Sequence, residues 1–312
     1  MVSTSHLEGE TALEPVLEEL ASGVYAYIQP DGSWFINNTG FLVGRDGVVS
    51  IDTTSTEART RAYLSAIARV TDRPVRTLVN THHHGDHTHG NCLLPVATIV
   101  GHPLCRAEIL RTPVPPPAGI WTAPEWGELR ATPPFLTFEE RVTLWVDDLE
   151  VELHYIGTPA HTTNDVVAWI PSRSILFTGD LLFAGGTPFV PMGSISGSLV
   201  ALERLRAFGA RTLVPGHGPV SGPEAIAPVE EYLRFVQETA RLGKQAGLSP
   251  LECARQTDLG RFASLTDSER IVGNLHRAYA EIDGAAAGAP IDLFAALRDM
   301  VEFNGGPLHC LA

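Results

Sequence analysis

The chain has 312 residues, 44% of them hydrophobic and 19% charged, with a net charge of −14 at neutral pH. That length can bury a sizeable core, while no apolar run approaches the about 20 residues that a membrane-spanning helix needs. Lys244 is the single lysine, so the basic stripe that nucleic-acid binding calls for is not expected.

Residues 1–20 open polar and acidic, without the basic start and apolar core of a signal peptide, and read as a loose extension or a short helix. A cytoplasmic location is the corresponding expectation. Alternation predicts a strand over Val24–Ile28, a turn at Pro30-Asp31-Gly32 and a partner strand from Trp34 to Val43. Gly47–Asp52 reads as the next strand. Thr56 to Thr71 has helical periodicity, with Ala58, Ala62, Leu64, Ile67 and Ala68 as its inward positions. Arg59, Arg61, Arg69, Arg73 and Arg76 fall on that helix and its exit and read as a solvated face.

A strand at Thr77–Asn80 then leads into His82-His83-His84-Gly85-Asp86-His87, followed by a strand at Ala97–Val100 and a helix from Pro103 to Arg111. Residues 112–136 are rich in proline and aromatic side chains. So long an irregular insert is expected to wall a substrate pocket, with Phe183–Phe189 and the Trp34/Asn37 pair as further candidate walls. The alternation of β and α elements implies a layered α/β fold.

The expected organisation is an extension over 1–20, a catalytic domain over 21–222 and a helical region over 223–312. In that last region helices are expected from Pro223 to about Ala246, and from Ser249 with Pro250 at the first helical position. A third should open at Thr266-Asp267-Ser268-Glu269, which has capping-box spacing, and run towards Ala287. The last spans Asp292 to Glu302. His309, near the end, reads as a surface residue. Cys92, Cys105, Cys253 and Cys310 are widely spaced and read as free thiols.

The histidine run places four metal-ligand side chains, His82, His84, Asp86 and His87, within six residues. His82 and His84 alternate on extended backbone and share a side. Asp86 and His87 turn away and can serve a second ion. Three further ligand types stand behind strands: His161 after Val151–Ile156, Asp180 at the end of Ser174–Gly179, and His217 after Thr212–Gly216. Zinc, iron and manganese all accept imidazole and carboxylate donors.

H-x-H-x-D-H at 82–87, G-T-P-A-H-T at 157–162, F-T-G-D at 177–180 and P-G-H-G at 215–218, with Asp52 ending the strand before them, resemble the metallo-β-lactamase superfamily from about Gly23 to Val220. The resemblance implies a four-layer αββα sandwich, here with a C-terminal helical extension. It also implies two divalent metal ions, zinc in the first place, with iron or manganese as alternatives. By position it assigns His82, His84 and His161 to one ion, Asp86, His87 and His217 to the other, and Asp180 to both. Asp86 would also accept a proton during turnover, and Asp52 would order the metal loop from behind.

The chemistry expected of such a centre is activation of a bridging hydroxide for attack on an ester-like carbonyl, a thioester or lactone. The partner is then a small-molecule acyl substrate, free or carried on a protein. Asp180 stands where true β-lactamases commonly carry cysteine, and His84 stands where the flavodiiron oxidoreductases carry glutamate. A hydroxyacylglutathione-type hydrolase would need basic residues for its thiol, and only Lys244 beside Arg241 offers them. Asp31–Trp34, Asn37–Gly40, His87–Asn91 and the Gly305–Cys310 tail resemble a set of actinobacterial proteins that includes second-ring cyclases of aromatic polyketide pathways. A cyclase using the same centre for aldol closure is therefore the alternative reading. A non-catalytic metalloprotein is disfavoured by the complete ligand set, and the oligomeric state is left open.

Overall fold

The computed structural model describes residues 14–122 and 124–312. The first strand, β1 (Val16–Ala21), pairs antiparallel with β2 (Val24–Ile28). The extension expected over 1–20 is thus ordered as a strand from Val16, and residues 1–13 lie outside the described residues. Its adjacent pair Glu18-Glu19 masks the alternation in the sequence. Next come β3 (Thr39–Val43), β4 (Val48–Ile51), α1 (Glu57–Val70), β5 (Val75–Val79), the single turn α2 (Gly85–Thr88), β6 (Thr98–Gly101), α3 (Pro103–Arg111) and β7 (Leu136–Thr137). The seven strands form one sheet in sequence order. The partner strand expected from Trp34 begins only at Thr39, because Trp34–Asn38 turn inward towards the rim of the sandwich.

The second sheet has five strands in the order β12-β11-β10-β9-β8. They are β8 (Arg141–Val146), β9 (Leu149–Tyr155), β10 (Val166–Ile170), β11 (Ile175–Phe183) and β12 (Thr212–His217). Helix α4 (Ile195–Ala207) connects β11 to β12. Helices α5 (Ile226–Gln245), α6 (Pro250–Gln256), α7 (Arg270–Ile282) and α8 (Leu293–Asn304) follow.

Three apolar cores make this a four-layer αββα sandwich. Between the sheets, Leu42, Ile51, Val79 and Val100 meet Leu153, Val166, Ala168, Phe177 and Val214. Outside the first sheet, Phe41, Val48 and Leu78 receive Tyr63, Ala66 and Ile67 of α1. Outside the second, Val167, Leu176 and Leu213 receive α4, α5 and α7 through Leu202, Val236 and Leu275. Neighbouring strand residues such as Phe41 and Leu42 fall in different cores, as the two-residue period of a strand requires. The C-terminal helices therefore share a core with the second sheet.

Two helices depart from the sequence pattern. In α1 the buried face is Thr60, Tyr63, Ala66 and Ile67, whereas Ala58, Ala62 and Ala68 face solvent. Tyr63 replaces the alanines as the inward anchor because its hydroxyl reaches Ser50 Oγ (2.8 Å) and donates to the Gly40 carbonyl (2.7 Å). The third C-terminal helix starts at Arg270, with no side-chain cap, and ends at Ile282. Asp267 is not a helix opener: it takes a left-handed φ of 56° and pairs with Arg270 at 2.6 Å. The second C-terminal helix starts as expected, with Ser249 followed by Pro250 at the first helical position, and Ser249 also closes a capping box with Glu252. The four cysteines are free thiols. No helix among the described residues is long and apolar enough to cross a membrane.

Candidate metal centre

All the candidate donors meet at one edge of the two sheets. The first sheet supplies His82 and His84 from the loop after β5, and Asp86 and His87 from α2. The second supplies His161 from the loop between β9 and β10, Asp180 from β11 and His217 from the end of β12. Asp180 lies inside β11 rather than at its end, since the strand continues to Phe183. A backbone hydrogen bond from Val166 N to the Thr81 carbonyl (2.7 Å) ties the two metal-bearing loops together across the sandwich.

Two donor sets result, His82–His84–His161–Asp180 and Asp86–His87–Asp180–His217, each with its donor atoms within 4.8 Å of one another. Asp180 belongs to both. Its Oδ2 lies 3.3 Å from His161 Nε2 and from His217 Nε2, and 3.8 Å from His82 Nε2. Its Oδ1 lies 2.9 Å from His87 Nε2. His217 Nε2 is also 3.3 Å from Asp86 Oδ2. Ligands at about 2.0–2.1 Å around a tetrahedral ion are about 3.3 Å apart, so these spacings suit ions between them.

The polar atoms themselves pass the same test. His82 Nε2, His87 Nε2 and Asp180 Oδ1 are buried without any hydrogen bond, the last two although they are 2.9 Å apart. Buried polar atoms left unpaired cost about 1–3 kcal/mol each, and convergent ones are what an ion satisfies.

The opposite edges of three of the rings are held from behind, as is usual for metal-ligating histidines. His82 Nδ1 meets Thr81 Oγ1 at 3.0 Å, His87 Nδ1 meets Asp52 Oδ2 at 2.8 Å, and His217 Nδ1 meets the Gly32 carbonyl at 3.0 Å. Asp52 also accepts from Thr81 N (2.8 Å) and Thr81 Oγ1 (2.7 Å), which locks the start of the loop. The Pro30–Gly32 turn thus anchors a ring. Gly32 has a φ of +78° and a Cβ there would run into the Gly218 backbone.

Charge divides the two sets. Burial lowers the pKa of His82, of His84 and of His161, the last to about 4. Burial also opposes protonation of His87 and His217, but the carboxylates around them prevail: Asp180, Asp86 and Asp52 raise His87, and Asp180 and Asp86 push His217 up to about 9. Burial likewise opposes the charged form of Asp180, yet the rings of His87, His217, His161 and His82 hold it well below the carboxylate range. The second set is therefore an electrostatic trap for positive charge, and an ion entering it displaces protons.

Gly216 leaves no room beside the shared carboxylate, since a Cβ there would collide with Asp180 Oδ1. Gly216→Ala is expected to displace that carboxylate and cut metal content about 10–100-fold in affinity terms. Titration of the metal-depleted variant with zinc, followed by metal analysis, checks this.

A cavity of about 370 Å³ opens over the donors and includes His84, Asp86, His161, Asp180 and His217 in its wall. All three expected wall segments contribute, through Trp34, through Pro113–Trp121, and through Phe183 and Phe189. Asn37 does not: it is fully buried and donates to the Thr53 carbonyl (2.9 Å). The sequence reading missed two parts. One is α8, which adds Leu293, Phe294 and Leu297 to the wall. The other is Asn38, whose amide donates to the Pro215 and Gly218 carbonyls (2.9 and 2.6 Å) and pins the His217 loop.

The chain end folds back against the insert. Leu308 N donates to the Ile120 carbonyl and Thr122 N to the Leu308 carbonyl, both at 2.8 Å, while His309 stays exposed. Lys244 lies away from the cavity, paired with Asp283 at 2.6 Å. Of the five clustered arginines, four are exposed, and Arg59 instead bridges Gln29 Oε1 and the Leu311 carbonyl.

Comparison with known proteins places this geometry. The family model described as "Metallo-beta-lactamase superfamily" matches residues 32–217. A "Metallo-beta-lactamase type 2" of Bacteroides fragilis is 24% identical over 237 residues, covering 72% of this chain and 88% of that protein. A "Hydroxyacylglutathione hydrolase" of Methylococcus capsulatus is 35% identical over 137 residues, 44% of this chain and 45% of that protein. Among solved structures, a metallo-β-lactamase from Pontibacter korlensis superposes with a TM-score of 0.59 at 21% identity, over 71% of this chain and 99% of that one.

Proposed function

The chain belongs to the metallo-β-lactamase superfamily, and from that premise we propose that it is a dinuclear metallo-hydrolase acting on an ester-like carbonyl, a thioester or lactone, of a small acyl compound. The observation that carries this reading is the pair of donor sets sharing Asp180 beneath an open cavity. His82, His84 and His161 would hold one ion and Asp86, His87 and His217 the other, with Asp180 between them; zinc suits this donor set, as do iron and manganese. Two divalent ions held there supply Lewis acidity and lower the pKa of water to about 7.

The protein's own residues do the rest. Asp86 faces the cavity from the second set and is the group placed to take up a proton from the attacking water. Asp52 and Thr81 keep the rings of His87 and His82 aimed. The aromatic and aliphatic walls bury the acyl body and exclude water around the carbonyl. Among the described residues no lysine lines the cavity, and the two arginines of its wall are paired, Arg270 with Asp267 and Arg111 with Glu108, so an anionic thiol carrier such as glutathione finds no unpaired cation there. A cyclase of aromatic polyketide formation is the second reading. It is favoured by the ring-lined cavity, where Trp121 packs edge-on against Trp34 (5.6 Å) and Phe35 (5.0 Å).

The test is turnover of a matched panel by the metal-loaded protein: acyl thioesters, lactones, a β-lactam and a poly-β-keto thioester mimic, read by mass spectrometry. Addition of water to thioester or lactone supports the hydrolase. Ring closure with thiol release from the keto chain supports the cyclase, and turnover of none refutes both. Chelation is expected to abolish whichever activity is found and to lower Tm, with both restored by zinc, iron or manganese. Each ion at 100-fold above its Kd stabilises by about 2.7 kcal/mol.

A further inference from the structure

The rings of the first donor set do not all present the same nitrogen. His82 offers Nε2, since its Nδ1 faces Thr81 Oγ1, and His161 offers Nε2, which meets His84 Nδ1 at 2.8 Å. His84 thus turns Nδ1 towards the shared space. Its Nε2 faces the other way, 3.2 Å from the sulfur of Met192. A thioether sulfur accepts and has no proton to give. The ring proton of His84 therefore belongs on Nε2, and Nδ1 keeps the lone pair that an ion needs. Oxygen atoms of Thr81, Asp52 and Gly32 stand behind the rings of His82, His87 and His217. Behind His84 stands sulfur.

A methionine side chain is flexible and adapts to its surroundings, so by itself it holds a ring poorly. Here its backbone is clamped. Arg270, Asn274 and Arg277 recur at helical spacing on one face of α7, and all three are buried. Arg270 Nη1 donates to the Thr187 carbonyl (2.9 Å), Asn274 Nδ2 to the Pro188 carbonyl (2.7 Å) and Arg277 Nε to the Pro191 carbonyl (3.0 Å). Val190 N donates in return to Asn274 Oδ1 (3.0 Å). On the far side of Met192, Gly193 lies so close to Ala160 that a Cβ would collide with the Ala160 carbonyl oxygen. Two buried guanidinium groups are a costly way to hold a plain loop, and this loop ends at the sulfur behind His84.

We propose that Met192 is a positioning residue of the metal centre: its sulfur accepts from His84 Nε2–H and fixes the tautomer and ring plane in which Nδ1 ligates. The inference rests on the reading of the two donor sets as a dinuclear metal centre.

The experiment titrates the metal-free protein with cobalt(II), which accepts the same nitrogen and oxygen donors as zinc, and follows the visible absorption of the bound ion. The unaltered chain should take up two ions in two steps. Met192→Leu, which keeps the bulk and loses the acceptor, should weaken one step about 10-fold and leave the other step and the Tm of the metal-free protein unchanged. Met192→Gln, whose amide oxygen accepts, should bring the weakened step back. A leucine variant that titrates like the unaltered chain overturns the proposal. So does one that weakens both steps alike or lowers the metal-free Tm, since that marks plain packing, and so does a glutamine variant no better than the leucine one. Uptake of fewer than two ions by the unaltered chain overturns both the proposal and the dinuclear reading. One step weakened in Met192→Leu, beside no turnover of the substrate panel, sustains Met192 and sinks the hydrolase reading. Turnover with both steps intact in that variant does the reverse.

Discussion

Asp180→Ala should lose metal and activity together. Its carboxylate is common to both donor sets, and no other described carboxylate stands within reach of His161 and His82. Removal leaves His82, His84 and His161 as a neutral set, and leaves Asp86 alone to balance two rings. Replacing a residue behind a ligand costs about 10–100-fold in metal affinity or activity, so the loss of a shared ligand should exceed about 100-fold in turnover. Metal analysis beside steady-state rates decides it. Two ions per chain and an unchanged rate in the variant would overturn the dinuclear assignment.

Asp52→Ala is expected to have the second largest effect, and through folding as well as metal. Asp52 is buried behind the centre with a φ of 60°, and it accepts from Thr81 N, Thr81 Oγ1 and His87 Nδ1. Burial raises its pKa, while the neighbouring His87 pulls the other way. Breaking a buried pair by removing one partner costs about 3–5 kcal/mol. A drop of that size in denaturant stability, with zinc affinity lower by about 10–100-fold, should be seen. Asp52→Asn separates the parts: it keeps the shape but presents an NH₂ to a donor, so it should refold better than the alanine variant and still bind zinc weakly. Wild-type stability in both variants would show that the loop is ordered by something else.

The donors were legible in the sequence because they are dense and local. Spacing alone puts His82 and His84 on one side of an extended segment, and each of His161, Asp180 and His217 follows a run of strand-forming residues. The cavity walls were legible in part: a proline-rich insert announces itself, but Leu293, Phe294 and Leu297 look like the apolar stripe of any amphipathic helix, and only tertiary packing brings them to the rim. Asn38 was missed for a related reason, since its partners at 215 and 218 are distant in the chain. The Thr266 capping motif misled because Thr266 bonds instead to Gly185 and Thr187, and Asp267 turns into a left-handed conformation and pairs with Arg270. The alanines of α1 misled because small residues tolerate either environment, whereas Tyr63, with a hydroxyl to satisfy, was given a buried acceptor.

The return of the chain end to Ile120 and Thr122 has an evolutionary consequence. The 112–121 insert and α8 both contribute to the cavity wall, and the insert is tied to the chain end behind it by Leu308. The donors ride on the sandwich itself. Side-chain changes in the insert can therefore reshape the cavity wall without touching the donors, and because the ties to the chain end are main-chain hydrogen bonds they survive such changes, whereas an insertion or deletion in either segment would break them.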